Sequence, residues 1–232
     1  MRPEFICLQE TRCLEMHLPT ADILSAGYQY SLSISSRLGY AGTCILSTQP
    51  FTVWDPSMFP QELSGRIQVM ECESFTLMNL YAPHGHRDQR NLSQKHLFFQ
   101  YVFQLVKSIS GNSPIILTGD LNVAHTPFDL KRPQANARNT MFTIEERRHI
   151  DDLLSLGLSD VYRTLNPNHP GYTWWPWLSS ARANDVGWRI DYIMASKRTQ
   201  IQFRNAKVLK SIMGSDHCPV MADIQIRSSR HL

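Results

Sequence analysis

Acids, an amide, a phenol and a histidine are spread over five short segments of this chain. They are Leu8-Gln9-Glu10-Thr11, Tyr81 within Asn79-Leu80-Tyr81-Ala82-Pro83, Gly119-Asp120-Leu121-Asn122, Gly187-Trp188-Arg189-Ile190-Asp191-Tyr192 and Gly214-Ser215-Asp216-His217. Most follow apolar, β-branched runs, so strands would deliver them to one rim of a sheet. Such a set suits hydrolysis of a phosphate ester, in which water must arrive in line with the leaving oxygen. A hard divalent cation on oxygen ligands neutralises the charge that builds on the phosphate. Glu10 is a natural metal carboxylate; an isolated Glu at a strand end more often forms a surface ion pair, but the other four segments favour the metal. Asp120 and Asn122 lie two apart, on one face of an extended segment. An acid that orients or deprotonates water would then sit beside an amide that donates to a phosphate oxygen, although Gly-Asp-Leu-Asn is also good turn chemistry. His217 has a candidate carboxylate partner in Asp191, which would favour the protonated ring; a cation that stabilises phosphate charge and a neutral base both stay open. Asp216 is a further metal or water-orienting candidate. Tyr81 is either a donor to the phosphate or a core-edge tyrosine.

The elements that must position these groups are legible as periodicities. Strand-like runs fall at Phe5–Leu8, Thr43–Leu46, Arg66–Glu71, Phe75–Tyr81, Ile115–Gly119, Ile190–Ala195 and Cys218–Ile226. One helix is predicted from the stripe Leu97, Phe98, Tyr101, Val102, Leu105 and Val106. A second starts at Thr143 with Glu146 three residues on, a capping box, buries Ile150, Leu153 and Leu154, and stops near Gly157. Strands mixed with few helices and long loops predict two sheets face to face with helices outside. Four of the five tryptophans fall in 171–188, at Trp174, Trp175, Trp177 and Trp188. One or two are expected to plug the core; the others, alternating with Arg182 and Asn184, suit an aromatic pocket beside a phosphate track.

At 232 residues, 42% hydrophobic and 19% charged, one folded domain is expected over 1–232, and wholesale disorder is excluded. A net charge of +3 does not by itself identify a nucleic-acid partner. Five cysteines, odd in number and without zinc-site spacing, read as free thiols in a reducing, intracellular setting. No apolar run is long enough to span a bilayer, so no membrane association is expected.

From about Pro3 to Ile226 the sequence resembles the exonuclease III type of apurinic/apyrimidinic endonuclease, within the endonuclease/exonuclease/phosphatase superfamily. The most specific segments are Gly119 to His125, Asn136 to Arg147, Val186 to Tyr192, and Gly214 to Pro219. The resemblance implies an α/β fold of DNase I-like type: a four-layered α/β sandwich of two mixed β-sheets with helices outside. It implies a monomer acting on double-stranded DNA with abasic sites, in the nucleoid, cytoplasm or nucleus. It also implies Mg²⁺ dependence with Mn²⁺ as a substitute, and incision 5′ to the lesion, accompanied by 3′-phosphodiesterase or 3′→5′ exonuclease activity. Glu10 would hold the metal, with Asp216, Asp120 and Asn122 as further ligand candidates. Asp120 would activate water, Asn122 and Tyr81 would contact the phosphate, and Asp191 would pair with His217. Arg12, Arg66, Asn136 and Asn139 would touch the DNA backbone, Arg87 would reach into the duplex, and Trp174, Trp188 and Ile190 would wall the pocket for a baseless sugar.

Two departures qualify this picture. The family pattern carries a strand ending in Asn, a Gly-Leu-Arg turn and a helix ahead of the Gln-Glu-Thr strand, whereas this sequence enters that strand directly from Met1-Arg2-Pro3-Glu4. The domain therefore reads as N-terminally short, with an open sheet edge, fewer partners for a metal at Glu10, and self-association through that edge as a consequence. His84 stands where the family often has Asn. The alternatives are a catalytically weakened DNA-binding form and a phosphatase of the same superfamily.

Overall fold

The computed structural model describes residues 2–85, 91–177, 180–198 and 200–227. A six-stranded sheet forms the middle of the molecule. Its strands are β4 (Thr52–Val53), β5 (Ile67–Glu71), β6 (Thr76–Tyr81), β7 (Ile115–Asp120), β8 (Leu158–Asp160) and β9 (Asp191–Ser196), in the order β4-β5-β6-β7-β9-β8. β6 and β7 run parallel; the other neighbours are antiparallel. The parallel pair needs a crossover, and the helix α2 (Leu92–Ser110) supplies it.

Helices α2 and α4 (Ile144–Ser155) pack together beside this sheet. Phe98, Phe99, Val102, Val106 and Ile109 of α2 join Ile150 and Leu153 of α4 in one cluster with Val69, Met78, Leu80 and Leu117. Each such side chain, fully buried, contributes about 1.5–3 kcal/mol. The predicted stripe is rotated slightly: Leu97 is 42% exposed, while Phe99 and Ile109 turn inward. At the start of α4, Thr143 Oγ1 accepts from Glu146 N and Glu146 Oε2 from Thr143 N, so the predicted capping box is present.

The opposite face carries the second β layer, which is divided. One piece holds β1 (Phe5–Gln9), β2 (Gln29–Ser33) and β3 (Thr43–Ser47) in the order β1-β3-β2; the other is the hairpin of β10 (Ile201–Val208) and β11 (Val220–Ile226). β1 packs on β6 and β7 and β11 packs on β9, so the unpaired edges of β1 and β11 face one another. Below the divide, Ile116 of β7 and Ile193 of β9 are only partly buried. The expected sandwich is therefore present with one correction. Among the described residues only the six-stranded sheet is mixed, while the second layer is antiparallel and split. Outside it lies the short α1 (Thr20–Ser25), against β2; α3 (Pro133–Asn136) and α5 (Val161–Leu165) complete the helices among the described residues.

β2, β4, β8 and β10 lie outside the predicted strand set. β4 and β8 are two and three residues long, too short for a periodicity to register. No helix among the described residues is long and apolar enough to cross a membrane.

Gly119, one residue before Asp120, has φ +140, and a Cβ there would stand 1.9 Å from Leu80 O on β6. Only glycine lets the parallel pair close at this point. Gly119→Ala is expected to lose about 3 kcal/mol or more in urea unfolding; a wild-type midpoint would show that β6 gives way without cost.

Candidate active site

Strand register brings three of the predicted groups into one row. Tyr81 ending β6 is the parallel partner of Asp120 ending β7, and Asp120 is the antiparallel partner of Asp191 starting β9. His217, just ahead of β11, closes the group from the second layer: its Nδ1 lies 3.0 Å from Asp191 Oδ2. Ligand atoms of Asp120, Asp191 and His217 all fall within 4.8 Å of one another. Thr173, fully buried, fixes the start of β9 because its Oγ1 accepts from the backbone N–H groups of Ile190 and Asp191 at 3.1 and 3.2 Å.

Burial pushes the Asp120 carboxyl up to about 7; the neighbouring Asp191 charge adds to this and His217 opposes it. Burial alone would lower the His217 pKa, but Asp191, then Asp120 and Asp216, outweigh it and raise it to about 10. The imidazole is therefore a cation at neutral pH, the form suited to stabilising phosphate charge. Tyr81 is held above the ordinary phenol range by burial and by the charges of Glu10 and Asp120. It keeps its proton, so its hydroxyl is available to donate.

Asn122 sits in left-handed backbone, φ 50, and is 4% exposed. Its N–H reaches Asp120 Oδ1 at 2.9 Å, and its Nδ2 donates to Asp120 Oδ2 and to Ala82 O, each at 3.0 Å. Both amide protons are thus spent, one on Asp120 and one on the Ala82 carbonyl. The amide orients the acid, and Oδ1 is the atom left for a cation or ligand.

Glu10 follows β1 in left-handed backbone, φ 55, and its carboxylate contacts the Arg12 guanidinium. Both side chains are partly solvent-exposed, at 37% and 60%. The charge of Glu10 is felt by Tyr81 and Asp120, which places it at the same rim. Asp216 Oδ2 accepts from Trp174 Nε1 at 2.9 Å. The donor set fits a hard divalent cation: carboxylates converge where burial disfavours their charge, and Glu10 already holds a cationic group.

Trp174 and Trp188 stand at 6.5 Å between ring centroids, and Trp174 lies at the same distance from His217. Both are partly buried over Ile190, Leu130, Met141 and Phe142. Ile190, 1% exposed, is buried beneath the two indoles and is not a pocket wall. Trp175, 2% exposed, is the core plug the sequence anticipated, while Trp177 is 79% exposed.

The expected DNA contacts divide. Arg12 is open to solvent, and Asn139, exposed, is joined to Asn136 by a 2.8 Å bond from its Nδ2. Arg66 is corrected. It is 3% exposed, donates to Tyr81 O and Tyr40 Oη, and stacks 4.9 Å from the Tyr81 ring. A guanidinium sandwiched between two phenols braces Tyr81 and is not offered to a backbone phosphate. Arg87 lies outside the described residues.

Three supports join distant segments: Asp129 and Lys95 carried no sequence signal, and Arg182, expected beside a phosphate track, is instead turned onto backbone carbonyls. Asp129, fully buried, receives Arg189 Nε and an Arg163 amine, each at 2.6 Å, and anchors the segment leading to Asp191. Arg182 donates to the carbonyls of Ser215, Lys210 and Ile212, strapping the loop that carries His217. Lys95, fully buried, meets Glu146 at 2.6 Å.

A sequence profile of the Endonuclease/Exonuclease/phosphatase family matches residues 1–217. The chain is 37% identical over 223 residues to recombination repair protein 1 of Drosophila melanogaster, covering 94% of this chain and 32% of that protein. It is 33% identical over 226 residues to an exodeoxyribonuclease of Bacillus subtilis (strain 168), covering 96% of this chain and 88% of the relative. The chain thus spans about a third of the Drosophila protein and most of the Bacillus one. Among solved structures, an AP endonuclease from Archaeoglobus fulgidus superposes with a TM-score of 0.84 at 25% identity, covering 97% of this chain and 90% of that one.

The His217 shift carries a stability signature with a definite sign. Its folded pKa, about 10, exceeds the ordinary 6.5, so the ion pair stabilises fully below pH 6.5 and its contribution is lost as pH rises through 10. His217→Gln is expected to show its largest loss in urea midpoint at pH 6, less at pH 8, and almost none at pH 10.5. An equal loss at all three would mean that packing, not charge, is what the ring contributes.

Proposed function

The chain belongs to the endonuclease/exonuclease/phosphatase family, and we propose that it is a DNA repair phosphodiesterase that incises duplex DNA 5′ to abasic sites. The observation that carries this reading is the convergence of Asp120, Asp191 and His217 at one rim, with the Trp174 ring 6.5 Å from the imidazole. An apolar aromatic surface beside phosphate-handling groups offers a platform to a sugar without its base. The same phosphate chemistry at a chain end would serve 3′-phosphodiesterase and 3′→5′ exonuclease activity.

Each residue takes a role that its surroundings permit. Water adds to phosphorus and Asp120, oriented by Asn122, takes the water's proton; the bond to the upstream 3′ oxygen breaks, and that oxygen takes a proton from solvent to become the new 3′ hydroxyl. A carboxyl lifted to about 7 by burial is a stronger base than a free aspartate. The His217 cation, fixed by Asp191, and the Tyr81 hydroxyl donate to phosphate oxygens as negative charge grows. Arg12, Asn136 and Asn139 hold the DNA backbone. Mg²⁺, replaceable by Mn²⁺, would be held by Glu10 and Asp120 with Asn122 Oδ1 and Asp216 alongside. When bound, it supplies charge neutralisation at the phosphate and leaving oxygen.

The direct test is a labelled duplex carrying one abasic-site analogue, with Mg²⁺ or EDTA, against an undamaged control. Incision 5′ to the lesion is expected only with Mg²⁺ and only in the lesion duplex; tight binding without incision would refute the nuclease assignment. Asp120→Asn and His217→Ala are each expected to lower kcat by about 10²–10⁴-fold while duplex Kd stays near wild type. Near-wild-type turnover in either variant would remove that residue from the chemistry.

A further inference from the structure

We propose that Lys95 is a positioning residue for the Asp120–Asn122 turn, and that its buried ammonium sets the geometry of the acid across the hydrogen bonds of Asn122. The inference rests on the reading of Asp120 as the group that takes the proton. Lys95 lies on α2 with no exposed surface, a rare place for a lysine. Its Nζ donates to Glu146 Oε1 at 2.6 Å and to Asn122 O at 2.7 Å. Joining two helices does not need such a pair, since apolar side chains of similar volume stabilise as well or better. What an apolar pair cannot do is grip the Asn122 carbonyl.

That grip matters because Asn122 is held in left-handed backbone, a conformation that persists only when its surroundings over-determine it. Held there, Asn122 presents its N–H and its amide to the two oxygens of Asp120. The same carboxylate that anchors Lys95 also fixes the loop ahead of α4. Glu146 Oε1 accepts from Met141 N at 2.9 Å and Thr140 Oγ1 at 3.1 Å, and Oε2 accepts from Thr143 Oγ1 at 2.9 Å. Thr140 Oγ1 is also 3.0 Å from His84 O. One buried ion pair thereby ties the catalytic turn to the two loops that flank it.

The test separates geometry from stability. In K95M/E146Q, methionine fills the lysine volume without charge, and the glutamine oxygen still accepts from Met141 N while its NH2 takes the place of Oε2 and donates to the Thr143 hydroxyl. This variant is expected to stay folded with a lowered melting temperature, to lose about a hundredfold in kcat on the abasic duplex, and to keep its KM. Amide hydrogen exchange over residues 119–124 is expected to quicken at least about tenfold, while β5 exchanges as before. K95R, which keeps charge and ion pair but displaces the bond to Asn122, is expected to move kcat and exchange the same way, and it decides the matter should the double variant not fold. Wild-type protection over 119–124, or wild-type kcat where wild-type enzyme cleaves, would overturn the positioning role. A wild-type protein that leaves the abasic duplex intact would instead overturn the nuclease reading, with the exchange data still deciding Lys95.

Discussion

Two carboxylates stand opposite each other at one register position, Asp120 ending β7 and Asp191 starting β9. Like charges at that spacing, out of water, are costly. The rest of the site answers this constraint. His217 is delivered from the other β layer to neutralise Asp191, the Asn122 turn surrounds the oxygens of Asp120 with donors, and Lys95 adds a buried positive charge behind them. The residual penalty is visible in the raised pKa of Asp120, and it is the property on which the proposed role of this acid as a base draws. A site with that much convergent negative charge also gains most from a divalent cation.

The divided second layer gives Glu10 and His217 an unusual kind of support. Each lies at the end of a strand, β1 or β11, that is bonded on one side only. Their placement therefore depends on bonds across the layers more than on a continuous ladder. Asn79, buried in β6, donates to Leu8 O and Cys44 O and accepts from Gln9 Nε2, pinning β1 and β3 to the six-stranded sheet one residue from Glu10. Arg182 and Thr173 do the corresponding work around His217 and Asp191. Side-chain amides, hydroxyls and one guanidinium thus replace part of what strand pairing would otherwise secure.

The aromatic pair follows the same logic. Asp216 accepts from Trp174 Nε1, and Trp174 pairs with Trp188 through backbone bonds in both directions. The tryptophan pair is thereby tied to the loop carrying His217, which fixes the distance between the indole and the imidazole.

Local patterns were sufficient for much of this protein. The five segments, the strands that carry them, the capping box at Thr143 and the core role of one tryptophan follow from residue types at short spacing, because propensity, periodicity and capping act within a few residues. What depended on long-range packing was not legible. The row Tyr81–Asp120–Asp191 is a matter of register between strands up to about a hundred residues apart. The inward turn of Arg66 needs two tyrosines that only the fold brings together, and the spent amide of Asn122 needs the Ala82 carbonyl of a neighbouring strand. Buried charge is the plainest case: Lys95 and Asp129 read as ordinary surface residues in one dimension, because burial and pairing are properties of neighbours distant in the chain. The sequence alone determined which groups are available for the chemistry; the tertiary structure decided their charge states, partners and orientation, since desolvation and proximity exist only once the layers have closed.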